Sequence, residues 1–438
     1  MKKKIGIVSL GCAKNLVNTE QMMHLLSEAG YIVSGETDGA DAVIVNTCGF
    51  IDSAKMEAID TILELSKERM QGNLGKIVVT GCFAQRYKEE ILTELPEIDA
   101  VVGVGSFEEI VDAIGKVLNG DEKVAMFGDI DAPISETKRI ITTSSAWAYI
   151  KIAEGCDNKC AFCVIPSLRG RFRSRPMEKI IEEAKQLAEQ GVREIILVAQ
   201  DSTRYGLDLY GTRRLAKLLT ALSEIENIKW IRLHYLYPDD IDEELIDVIA
   251  NNEKVLKYID IPIQHVNDAV LQKMNRRGNS KELKLLIEKL RERIEDVVIR
   301  TSVIAGLPGE GDREFDELYE FIKSEKIERA GVFRFSPEEG TAAAAMDFPD
   351  VELADKRTEA LTQMQAQVID EFNDSRIGSI TTVLIEGVQN GNYYGRSYAE
   401  SPDVDGYITV IGKDIEIGEF YDIKITDVID YDLVGETI

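Results

Sequence analysis

Positive charge is scarce in this chain. Its 438 residues hold 51 Lys and Arg against 78 Asp and Glu, a formal net charge of −27. So acidic a protein repels polyanions, which argues against a nucleic-acid backbone as partner and suits a basic one. Histidine is scarcer, with 3 in all. His24, His234 and His265 show no metal-ligand spacing, and His24 reads as a helix-face residue. Long apolar runs are lacking. The start MKKKIGIVSLGCAKN invites a lipoprotein-signal reading, but its apolar run is too short and no export or membrane segment follows. There is no low-complexity stretch and no repeat of solenoid period. Six cysteines in a chain this long do not make a secreted disulfide scaffold. What remains is a reduced, cytoplasmic globular protein, 44% hydrophobic and 29% charged, long enough for two or three domains.

The apolar runs that are present fall into three textures. In residues 1–120, KIGIVSLGC, AVIVNTC and KIVVTGC read as parallel strands ending in Cys12, Cys48 and Cys82. Helices over 18–29 and 53–67 separate them. A fourth strand, AVVGVG over 100–105, and a helix to about Leu118 complete a doubly wound sheet. Residues 121–145 read as a linker, because the pattern loosens into Gly, Asp, Ser and Thr. Residues 146–376 alternate six strands (AYIKIAEG, EIILVAQD, WIRLHYLYP, YIDIPIQH, VVIRTSVIAG and AGVFRFSP) with helices over 178–190, 211–225 and 281–294. That alternation fits a partial (β/α) barrel. A long polar helix over 351–376 leads into residues 377–438, whose short β runs suggest a small antiparallel β-barrel. From Gly378 onward Arg396, Lys413 and Lys424 face twelve acidic residues, a net charge of −9.

Cysteine usage carries the chemistry. GCDNKCAFC sets Cys156, Cys160 and Cys163 at C-x3-C-x2-C, in the loop closing the first barrel strand. Barrel chemistry sits at that end. A structural zinc wants four closed ligands, and no fourth Cys or His lies nearby in sequence. A 4Fe-4S cluster held by three cysteines fits, its fourth iron open to a substrate. A zinc completed by a distant ligand, or three incidental thiols, are the alternatives. Cys12, Cys48 and Cys82 are dispersed, but the carboxyl ends of parallel strands border one crevice. A second three-cysteine cluster is therefore expected there, against the plainer reading of each as a small core residue. Gly11, Gly49 and Gly81 beside them would let backbone approach such a cluster.

These motifs carry a family resemblance. GCDNKCAFC is similar to the cluster motif of radical S-adenosylmethionine (SAM) enzymes. LGCAKNLVNTE, NTCGFI and TGCFAQR resemble the amino-terminal domain of the methylthiotransferases, and the last 60 or so residues resemble their TRAM domain. SLGCAKN, CVIPSLRGRFRSRP, LHYLYPD and DIPIQH are most like the branch acting on a ribosomal protein. The resemblance covers essentially the whole chain. It implies two 4Fe-4S clusters, with Cys156, Cys160 and Cys163 as the catalytic set that binds SAM. Reductive cleavage of SAM there would yield a radical that takes hydrogen from the target. The second cluster, on Cys12, Cys48 and Cys82, would deliver a sulfur methylated by a second SAM. Both open irons would face one cavity. The target would be an aspartate of small-subunit ribosomal protein twelve, and the electron donor a flavodoxin or ferredoxin.

Further candidates come from strand ends. Gln200 and Asp201 close the second barrel strand, where relatives hold the SAM amino or carboxylate group. Gln264 and His265 close the fourth. Gly306, in VIAGLPGE, lies in the segment that packs on adenine in the family. Arg169, Arg171, Arg173 and Arg175 form a basic run just after the dense cysteines. It reads as nucleic-acid binding, as a solvated surface, or as a clamp for a carboxylate. The near rival is a tRNA adenosine methylthiotransferase, disfavoured by the acidic terminal barrel. The rival of another class is an electron carrier or zinc scaffold without catalysis.

Overall fold

The structure, a computed structural model, describes residues 2–438. The chain forms two compact units that are discontinuous in sequence. One takes residues up to Thr142 together with Ala153–Ser174 and Ser336–Ala344. The other takes Thr143–Ile152, Arg175–Phe335 and Ala345–Ile438. Among the described residues no helix is long and apolar enough to cross a membrane.

The first unit is built on a six-stranded parallel sheet. Its spatial order is Ile32–Ser34, Lys4–Ser9, Ala40–Thr47, Leu74–Gly81, Ala100–Val102 and Val124–Met126. Both faces are covered, so the strands need apolar side chains on each side rather than a polar alternation. In the strand Ala40–Thr47, Ala42 and Ile44 join one core with Met22 and Leu26 of the helix Ala13–Glu28. Val43 and Val45 join the opposite core with Ala58 and Ile62 of the helix Asp52–Met70. Two strands exceed the four expected. Ile32–Ser34 and Val124–Met126 are three-residue edge strands, too short to show a period in sequence.

The second unit opens on another parallel six-stranded sheet, in the expected strand sequence. Trp147–Lys151, Glu194–Val198, Trp230–Leu233, Val255–Asp260, Val298–Ala305 and Arg329–Arg334 lie side by side. The sheet does not close, which is the partial barrel. Crossover helices include Met177–Glu189, Glu243–Asn251, Ser280–Arg293 and Asp312–Glu325. The helix expected over 211–225 is present but shorter, Leu215–Ser223, and a separate short helix, Leu207–Tyr210, precedes it. Gly211 ends the helix Leu207–Tyr210 by adopting φ +71°, a conformation glycine takes without Cβ strain.

The helix Val351–Ser375 starts at an Asp350 cap whose carboxylate accepts from Leu353 N at 2.8 Å. It leads to a closed five-stranded barrel of Ile380–Gln389, Asn392–Arg396, Ile408–Ile411, Phe420–Ile429 and Asp432–Thr437. Val383, Ile385, Ile408, Val410, Ile423, Ile425 and Leu433 fill it. Its pairings are antiparallel except that Ile408–Ile411 runs parallel to Asp432–Thr437.

Buried ion pairs join this barrel to the sheet of its own unit. Arg396 donates to Glu194 and Glu386, and Glu194 also accepts from Arg232 at 2.7 Å. Glu400, almost fully buried, takes Arg329 at 3.1 Å, Arg376, and the Ser397 hydroxyl at 2.6 Å. Burial works to raise the Glu400 pKa, but Arg376 and Arg329 outweigh it and hold it at about 2. The folded pKa lies below the unfolded one. The stabilisation is therefore complete above the usual glutamate value of about 4.3 and is lost as pH falls toward 2. Glu400→Gln is expected to cost about 3 kcal/mol at neutral pH, because two guanidiniums lose a buried partner. Thermal melts should show that difference shrinking by about half or more at pH 3. An equal loss at both pH values would contradict this account.

Candidate active site

Three adjacent strands bring the dispersed cysteines together. Lys4–Ser9, Ala40–Thr47 and Leu74–Gly81 are neighbours in the sheet and parallel. Cys12 is the N-cap of the helix Ala13–Glu28, Cys48 directly follows its strand, and Cys82 opens the short helix Cys82–Tyr87. Asn15 ties the strand ends by donating to Thr47 O at 2.9 Å and to Leu10 O at 3.3 Å. Asn46 donates in turn to Asn15 O and to Thr19 Oγ1, each at 2.8 Å. The neighbouring glycines are what this close approach requires. A Cβ on Gly11 would lie 2.8 Å from Cys48 Cβ, and one on Gly49 would lie 2.7 Å from Phe83 N. At Gly81 a Cβ would meet Asn46 Oδ1 and Thr47 O.

The three thiols feel one another. Burial, then Cys82 and Cys12, push Cys48 up to about 12. Cys82 is raised by burial and by Cys12, against the pull of Arg169. Burial would raise Cys12 as well, but Lys14 and Arg169 overcome it and the thiol lies below its ordinary value.

The dense set lies in the same unit. Its loop is closed by an antiparallel pair, Ala153–Glu154 with Arg173–Ser174. Cys156 N donates to Gly170 O and Cys163 N to Cys160 O, each at 3.1 Å. Cys156, Cys160 and Cys163 are half-buried, and none of the six cysteines is in a disulfide. Among the described residues no three or more His, Cys, Asp or Glu side chains form a ready site for a metal ion. What each set offers is thiols alone, and soft sulfur donors suit iron–sulfur clusters.

The basic run divides. Arg169 is 2% exposed, with Nη1 on Glu154 at 2.9 Å and Nε 3.3 Å from Cys82 Sγ. Arg173 bonds Asp131 at 3.3 Å, and Arg175, buried, donates to Lys151 O at 2.7 Å and to Glu183 at 2.6 Å. Only Arg171 of the four is solvated. The run is therefore not a basic surface: its charges are spent on the chain's own carboxylates and carbonyls. The alternation of Arg with Gly170, Phe172 and Ser174 carries no signal of this, because the partners lie outside the run.

The remaining candidates sit at strand ends of the second unit. Gln200 is half-buried. Asp201 is buried and accepts from the Thr203 hydroxyl at 2.5 Å. Gln264 has φ +68°, and its backbone bridges to the next strand through Ser302 O and Ile304 N, each at 2.8 Å. Gly306 N donates to Glu310 Oε1 at 2.9 Å. Glu310 also receives Arg357 at 2.9 Å and stands 3.2 Å from His265 Nε2, all of them buried. His265 Nδ1 accepts from Asn267 N at 3.0 Å, so its proton is on Nε2 and aimed at the carboxylate. Sequence reasoning missed Glu310 and Arg357, which lock the segment around Gly306. It also missed Asn15 and Glu154.

Comparisons with known proteins bear on the chain as a whole. Residues 150–322 match the radical SAM superfamily, residues 4–103 the uncharacterized protein family UPF0004, and residues 377–438 the TRAM domain. A protein of Acetivibrio thermocellus called ribosomal protein uS12 methylthiotransferase RimO is 46% identical over 450 residues, covering 100% of this chain and 99% of that one. A protein of the same name from Caldicellulosiruptor saccharolyticus is 47% identical over 439 residues, covering 99% and 100%. Among solved structures, the radical SAM methyltransferase TsrM from Kitasatospora setae superposes with a TM-score of 0.57 at 14% identity, over 87% of this chain and 81% of that one. That likeness is one of fold. The end-to-end identity is one of family: the chain belongs to the ribosomal protein uS12 methylthiotransferases, the RimO family of radical SAM enzymes.

Proposed function

We propose that this chain adds a methylthio group to the β-carbon of an aspartate in ribosomal protein uS12, using SAM and two 4Fe-4S clusters. Cys156, Cys160 and Cys163 hold one cluster; Cys12, Cys48 and Cys82 hold the other. The observation that carries the reading is the 46–47% identity, over the full length, to proteins of that name. Two all-thiol triads within one unit support it. The division into residues 1–120, a radical SAM core over 146–376 and a TRAM barrel over 377–438 belongs to the same reading; the stretch 121–145, read as a linker, carries the edge strand Val124–Met126 of the first sheet.

A cluster gripped by three protein thiolates supplies, when bound, an iron with a free position for SAM and the electron that cleaves it. The chain's own groups do the positioning. The closed loop around Gly155–Cys163 orients the catalytic thiols, and Asn15 fixes the strand ends that carry the others. Gln200, Asp201, Gln264 and Gly306 contact SAM in this reading. Gly306 N–H already serves Glu310, so this residue offers close approach of backbone rather than a hydrogen bond.

Charge favours a protein target over tRNA. Residues 378–438 carry −9, which steers a basic ribosomal protein and repels a phosphate backbone. Partners therefore comprise uS12 and a flavodoxin- or ferredoxin-type electron donor, in the cytoplasm, with no membrane. Reconstituted enzyme incubated with SAM, sulfide, reductant and uS12 should give a methylthio addition on an aspartate by mass spectrometry. In parallel binding measurements, uS12 should bind and tRNA should not. Tight, salt-sensitive binding of tRNA alone would favour the tRNA adenosine reading instead.

A further inference from the structure

Arg169 ends the short helix Ile165–Arg169, which begins just after Cys163. Its guanidinium is buried among three groups from three parts of the first unit. Nε donates to Cys82 Sγ at 3.3 Å, Nη1 to Glu154 Oε1 at 2.9 Å, and Nη2 to Asn15 Oδ1. Val164 and Leu168, from the same helical segment, pack on Cys82 together with Phe50 and Val104. One side chain thus links the segment leaving the dense cysteines to the strand ends bearing the dispersed ones.

Charge balance alone does not account for this placement. A buried guanidinium needs a carboxylate, and Glu154 supplies it. Asn15 is already committed to Thr47 O and Leu10 O through its amide nitrogen, so its oxygen is presented to Arg169 in a fixed direction. The third donor, Nε, goes to sulfur. Hydrogen bonds to ligand sulfurs and nearby fixed charge set the potential of an iron–sulfur cluster.

We infer that Arg169 is a positioning and charge-tuning residue for the sulfur set on Cys12, Cys48 and Cys82, holding Cys82 and raising the reduction potential of a cluster bound there. The inference rests on the reading of those three cysteines as cluster ligands. Its sign follows from electrostatics: the reduced cluster is more negative, and a fixed cation beside it stabilises that form. Glu154 acts oppositely, because its charge offsets part of the cation.

The test uses the full chain carrying Cys156→Ala, Cys160→Ala and Cys163→Ala, reconstituted with iron and sulfide. The midpoint potential of the remaining cluster is read by a redox titration followed by electron paramagnetic resonance. Arg169→Gln should move the potential to more negative values than this parent. Arg169→Lys, which keeps the charge and loses the fork, should fall between. Glu154→Gln should move it to more positive values. If Arg169→Gln does not fold or load, the opposed shifts of Arg169→Lys and Glu154→Gln carry the same test. Equal potentials in parent and variants would overturn the inference. So would a shift in one direction for both Arg169 and Glu154 variants, the mark of general loosening. A parent that loads no cluster would overturn the ligand reading first, and this inference with it.

Discussion

Replacing Cys156, Cys160 and Cys163 together by alanine is expected to abolish both SAM cleavage and methylthio transfer. Iron should fall from about eight to about four atoms per chain if, as proposed, the chain holds two four-iron clusters. All three thiols sit in the loop closed by Ala153–Glu154 and Arg173–Ser174 and are half-buried. Their removal therefore takes away ligands without opening the hydrophobic core. Iron and acid-labile sulfide analysis after anaerobic reconstitution checks the count, and 5′-deoxyadenosine release checks the cleavage. Retained cleavage in the triple variant would move the SAM site elsewhere. Zinc without labile sulfide in the parent would instead support a scaffold.

The complementary variant, Cys12→Ala with Cys48→Ala and Cys82→Ala, should behave differently. SAM cleavage should persist while methylthio transfer to uS12 drops to background, with iron again near about four per chain. Cys82 is the most buried of the three, and losing its sulfur from the contact with Val164 and Leu168 costs on the order of 1 kcal/mol. Circular dichroism and a melt of the variant separate that packing loss from a loss of function. Product formed at the parental rate would remove these cysteines from sulfur delivery.

The frame of this site was readable because a parallel sheet covered on both faces leaves long apolar runs. KIGIVS, AVIVNT and KIVVTG read as strands of one parallel sheet, and a residue just past each end falls at its carboxyl edge. The six strands of the second sheet and the short β runs of the terminal barrel were readable on the same grounds. What escaped were features whose cause lies at long range. The edge strands Ile32–Ser34 and Val124–Met126 are held by pairing with Lys4–Ser9 and Ala100–Val102, not by any pattern of their own. Arg169 looks like one member of a basic run, yet its partners are Asn15, Cys82 and Glu154. Glu310 lies in the loop after the strand Val298–Ala305 and Arg357 in the helix Val351–Ser375, and nothing in either neighbourhood announces that they meet. That residues 153–174 and 336–344 belong with the first sheet is a matter of packing that linear order conceals.

The order of synthesis adds a last consequence. The sheet bearing Cys12, Cys48 and Cys82 is complete at Met126, whereas the residues that lie over Cys82, namely Val164, Leu168 and Arg169, come later in the chain. Chains fold from the amino terminus as they leave the ribosome. The cysteine edge of the sheet is thus synthesised before its cover, which can form only after Arg169 has left the ribosome.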